Sequence, residues 1–179
     1  MTTEVSIQRA VPSDERLPPD ERLPAAVLAL AGLAGTAGLI HLVAALQHVD
    51  ENWMLPVFFA LVGAAQVAAG WRIHRVPGEP GLLVAVALGA VALALLWVFS
   101  RTTGVPFGPD AGEVSSVGVA DTIVTLLELA FAALAAALVT QPARGEQRLA
   151  WLDSPMGVRL TFAVLSMALL LAALGGHEH

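Results

Sequence analysis

The run "AAVLALAGLAGTAGLIHLVAALQ", Ala25–Gln47, decides the fold. It contains no acidic residue and no lysine or arginine over 23 residues. At about 1.5 Å per residue in a helix, that length covers a hydrocarbon core of roughly 30 Å. Lipid offers no partner to free backbone amides, so such a run crosses as a helix. Four further runs of similar length and character follow, at 54–71, 81–99, 120–139 and 156–174. The expectation is an all-α integral membrane bundle of five transmembrane helices occupying 25–174.

Composition agrees. Of 179 residues, 56% are hydrophobic and 13% charged, with a mean hydropathy of +0.73. Soluble domains carry about a quarter charged residues, so lipid is the solvent for much of this chain. The first run is longer than the roughly 7–15 apolar residues of a signal peptide, and acidic residues precede it. It is therefore expected to stay in place as the first helix. Residues 1–24 hold four prolines and mixed charge, with "DERLP" at 14–18 and again at 20–24. They read as a disordered cytoplasmic tail. Residues 175–179, opened by Gly175-Gly176, read as a flexible tail on the opposite side.

Orientation follows from the arginines. Arg9, Arg16, Arg22, Arg72, Arg75, Arg144, Arg148 and Arg159 fall on one side of a five-span threading, and Arg101 alone on the other. The positive-inside rule then puts the amino terminus in the cytoplasm and the carboxyl terminus outside, in a cell membrane. Trp53, Trp71, Trp97 and Trp151 lie at or near the ends of the runs, where an aromatic belt forms. Gly32, Gly35, Gly38, Gly63 and Gly70 read as surfaces for close helix approach.

Several chemistries are excluded. The chain has no cysteine, hence no disulfide, thiolate site or cysteine nucleophile. It has no lysine, hence no Schiff base and no Walker-type phosphate loop. A net charge of -6 argues against nucleic acid.

His41 lies within the first run and His48 at its end, seven residues apart and so near one helix face at about 3.6 residues per turn. In "ADTIVTLLELAF" of the fourth run, Asp121 and Glu128 repeat the spacing, with Thr125 between them on that face. The two helices run in opposite directions. Two tiers are therefore expected: His48 with Asp121 near the outer rim, and His41 with Glu128 roughly 10 Å deeper. Ionisable groups in a membrane are costly and mark functional paths. Imidazole with carboxylate suits protons or a divalent zinc, copper or iron ion. His177 and His179 of the terminal "HEH" are auxiliary ligands within reach. The competing reading is an interhelical pair that only fixes packing. Gln66 reads as an interhelical hydrogen bonder, and Ser166 as bonded to a backbone carbonyl. No base is placed near Ser100 or Thr102, so the reading leans away from an enzyme.

The outer loop 100–118, "SRTTGVPFGPDAGEVSSVG", is turn-rich and stiffened by Pro106 and Pro109. Arg101 is expected to pair there with Asp110 or Glu113. Together, "GLIHLVAALQH", "FFALVGAAQVAAGW" and "SRTTGVPFGPDAGE…VGVADTIVTLLELA" resemble a group of small multi-pass membrane proteins of actinobacteria and their relatives. That resemblance implies a membrane fold and no chemistry. Two functions stand open. One is transport or sensing of a divalent metal ion or protons at an outward-facing His/carboxylate site. The other is a non-catalytic auxiliary subunit whose outer loop docks a membrane-protein partner, or a second copy of the chain.

Overall fold

The computed structural model describes residues 25–77, 79–140 and 150–175. The amino-terminal tail 1–24, Arg144 and Arg148, and the terminal His177 and His179 lie outside the described residues. Five helices make up most of the rest: α1 (Ala25–Gln47), α2 (Met54–Arg75), α3 (Pro80–Thr102), α4 (Val119–Thr140) and α5 (Pro155–Gly175). A short 3-10 turn, Ala150–Asp153, leads into α5. There is no strand among the described residues, and all five helices are long and apolar enough to cross a membrane.

Their ends have local causes. The Asn52 side-chain oxygen accepts from the backbone amides of Met54 (3.1 Å) and Leu55 (3.2 Å), satisfying two of the free donors that open α2. Pro80 opens α3, where a fixed φ suits the first helical position. The Ser154 hydroxyl accepts from the Gly157 amide at 3.0 Å and so caps α5, which begins with Pro155. Helix α2 continues a turn beyond its apolar run because Arg72, His74 and Arg75 stand at its carboxyl end, where the helix dipole favours cations.

Helix α1 is the hub. It packs against α2, α4 and α5, while α3 packs on α4 and touches α2. Helices α2, α1, α4 and α3 thus surround one interior, and α5 seals the outside of the α1–α4 pair. We call the end with the α1–α2 and α3–α4 connections the upper end. The α1–α2 contact is made by backbone. A Cβ placed on Gly38 would lie 2.7 Å from the Gly63 carbonyl oxygen, and one on Gly63 would lie 2.7 Å from that of Gly38. Lower down, a Cβ on Gly70 would lie 2.8 Å from the Ala31 oxygen. Only glycine permits this approach.

The lower interior is closed by Leu30, Ala34, Ile73, Leu83, Phe131 and Ala135, one buried apolar cluster drawn from four helices. A second cluster, Ala37, Ile40, Val124, Leu127 and Ala172, locks α5 against α1 and α4. Large apolar side chains such as Leu61, Leu88 and Phe162 point outward. An exterior of this kind suits lipid rather than water.

At the upper end the α3–α4 loop folds on itself. Gly104, Gly108 and Gly112 all take positive φ, and the Gly112 amide donates to the Val105 carbonyl at 2.8 Å. The loop is tied to the α1–α2 connection by Asn52, whose side-chain amide donates to Asp110 at 2.9 Å.

Candidate functional site

His41 and Glu128 are both buried, 6% and 3% exposed, and the bundle brings them together: His41 Nε2 lies 3.9 Å from Glu128 Oε1. Between them stands Gln66. His41 Nδ1 is 2.9 Å from Gln66 Oε1, and Gln66 Nε2 donates to Glu128 Oε1 at 2.9 Å. The glycine contact of α1 with α2 sets the register that delivers Gln66 to this place, and α4 supplies Glu128 from the other side.

One backbone atom fixes the polarity of the chain. His41 Nδ1 also lies 3.0 Å from the Ala37 carbonyl oxygen, four residues back in α1. A carbonyl only accepts, so Nδ1 carries a hydrogen and donates. Gln66 must then turn its oxygen toward His41 and its N–H toward Glu128, whose Oε1 accepts. The tautomer of His41 and the orientation of Gln66 are set together. What stays variable is one proton, on Glu128 or on His41 Nε2. With one proton the pair is neutral as a whole, which avoids the cost of a net buried charge. The Phe59 ring covers His41, at 5.9 Å between centroids.

The expected upper tier does not form. His48 Nδ1 is 3.4 Å from Glu51 Oε1, three residues on, with Phe59 edge-on at 5.3 Å. Asp121 pairs with Arg101 at the top of α3 and also accepts from the Gly118 amide. The reason is charge: a guanidinium is always protonated and imidazole is not, so Asp121 takes Arg101 when α3 presents it. Arg101 accordingly does not pair with Asp110 or Glu113. Trp97, expected in the belt, is half-buried, with its indole N–H enclosed. Ser166, expected to bond a carbonyl, is exposed and forms no hydrogen bond among the described residues.

Of the four residues proposed as ligands, His41 and Glu128 therefore meet, while His48 and Asp121 each find another partner. Among the described residues no three His, Asp or Glu side chains converge as a metal site requires. The residue that spacing did not assign to the site is Gln66. It was visible as a lone polar group in α2, but nothing in the sequence aligned it with both others. A cavity of about 10 Å³, lined by Gln66 and Glu128 with Ala34, Ala90 and Phe131 among its walls, lies beside the chain. That is near the size of one water.

Comparison with known protein families, with curated proteins and with solved structures found no match. What the site does is read from its own geometry.

Proposed function

We propose that this is a proton-responsive membrane protein, a sensor whose switch is the His41–Gln66–Glu128 chain. The observation that carries the reading is the single polarity imposed by the Ala37 carbonyl, with His41 Nε2 only 3.9 Å from Glu128. An amide bridge of this kind holds an acid and a base in register while leaving one proton free to change place. Gain or loss of that proton gives the buried pair a net charge, which a low-dielectric interior resists by shifting helices or admitting water. The lever is built in, because the three side chains come from three different helices.

Sensing is favoured over transport by the lower interior, where Leu30, Ile73, Leu83 and Phe131 offer no polar step onward. Protons are favoured over a divalent metal because Gln66 turns a donor, not an oxygen, toward Glu128. We place the upper end outside a cell membrane. Arg72, Arg75 and Arg159 support this from the lower half, and among the described residues Arg101 is the one arginine at the top, in keeping with the positive-inside rule.

The test is infrared difference spectroscopy of the full chain in lipid nanodiscs as pH is varied. A carboxylic C=O band is expected that disappears in Glu128→Gln and moves in His41→Ala. A wild-type difference spectrum identical to that of Glu128→Gln would remove the proposal. Zinc added to a His177→Ala/His179→Ala variant should leave the band in place; its displacement would make the pair a metal site instead.

A further inference from the structure

Helices α3 and α4 run antiparallel, with Arg101 against Asp121 at their upper ends. One turn deeper in each come Trp97 and Thr125, and a turn deeper again Ala94 and Glu128. Asp121, Thr125 and Glu128 share one face of α4 by spacing. Three polar groups in this stretch have no partner among the described residues. The N–H groups at Arg101 Nε and Trp97 Nε1 are enclosed and unbonded. The Thr125 side chain is buried but its hydroxyl is not among the enclosed atoms, and it forms no hydrogen bond among the described residues, although Thr122 and Thr140 bond the carbonyls four residues back at 2.8 and 2.7 Å. Enclosed polar groups that find no protein partner are met by ordered water. The lower interior, in contrast, is closed by apolar side chains.

From this we infer that protons reach Glu128 from the upper face along α4, past Asp121 and through a hydrated step at Thr125 and Trp97, with Arg101 as the latch. The inference rests on the proton-sensing reading and adds the route and its control. Each transfer makes and breaks only O–H bonds. A proton from the outer water passes to water at the Thr125 level, and one leaves that water or the hydroxyl for Glu128. While the guanidinium holds Asp121 and bonds the Ser100 hydroxyl, the head of the route is shut. The groups around the route are few. His41 faces Glu128 from α1, with His48 engaged by Glu51 above it; α2 contributes the amide of Gln66; α3 contributes Arg101. The charged residue of α5, Arg159, stands at the opposite end.

The experiment follows hydrogen–deuterium exchange of the Glu128 carboxylic band after transfer of nanodisc-embedded protein into heavy water. Thr125→Val is expected to slow exchange roughly tenfold, a change of about 1.36 kcal/mol in barrier, and Thr125→Ser to restore it. Arg101→Gln is expected to speed it by a similar factor. If the band is present and Thr125→Val exchanges at the wild-type rate, the route is wrong and the sensing site stands. If the wild type has no band that Glu128→Gln removes, both fall. Thr125→Val and Thr125→Ser are mild changes whose folding is checked by circular dichroism, so the result does not depend on Arg101→Gln surviving.

Discussion

Gln66 is the residue that joins the other two. It bonds His41 and Glu128 at once; in Gln66→Leu the His41 Nδ1–H keeps the Ala37 carbonyl, but the buried Glu128 carboxyl loses its amide donor. Such a loss costs about 1–3 kcal/mol. Unfolding of the detergent-solubilised protein should therefore shift by at least about 1 kcal/mol, and Gln66→Glu should not rescue it, since the N–H that reaches Glu128 is gone. A double-mutant cycle of His41→Ala with Glu128→Gln gives the complementary measure. The pair lies within direct coupling range, and a non-additivity of about 0.5–2 kcal/mol is expected, the range that interhelical hydrogen bonds in membranes span. Strict additivity would show that the two side chains act alone.

Among the helices, the α1–α2 contact makes the clearest prediction. Gly38→Ala forces a methyl to within 2.7 Å of the Gly63 carbonyl oxygen, whereas a Cβ on Gly35 meets nothing within 4 Å. Overpacking against fixed backbone costs about 1–3 kcal/mol. Gly38→Ala should therefore lower stability and disturb the Glu128 band, while Gly35→Ala, one turn away on the same helix, should be nearly silent. Equal effects would mean that glycine flexibility, not close approach, matters there. The helices themselves were legible in the sequence because length and apolarity are local properties. The meeting of His41 with Glu128 was legible too, since matched heptads on antiparallel helices need only adjacency. What escaped depends on register. Gln66 has no spacing partner in α2, and only the seating of Gly38 on Gly63 brings it level with His41. Arg101 finds Asp121 because Gly104, Gly108 and Gly112 let the connection between their helices fold back tightly, and φ values of +72°, +94° and +83° are not written in hydropathy.

For the molecule as a whole, the two ends differ in kind. The lower end carries exposed Arg72, which reaches Glu79 at 3.0 Å, and Arg75, stacked 4.4 Å over Trp71. The upper end carries the self-folded glycine loop. A chain without cysteine is suited to mapping this difference. Val114→Cys, on the exposed upper loop, should react with a membrane-impermeant maleimide on intact cells, and Val76→Cys, beside α2's lower end, should react only after lysis. The reverse pattern would invert the threading and turn the face proposed to sense protons inward.

The hub position of α1 has a consequence for how the protein is made. The helix that all but α3 pack against is the first of the five to leave the ribosome, and it enters the bilayer with a histidine and no companion. The hairpin with α2 is the earliest remedy, because Gly38 and Gly63 can seat before any later helix exists and Gln66 then covers His41. Glu128 arrives two helices later. By that time an amide donor is waiting at its depth, so the carboxyl never needs to cross lipid unaccompanied. The chain's order of synthesis is thus also an order of polar rescue, with the glutamine serving first as the histidine's guardian and afterwards as the glutamate's dock.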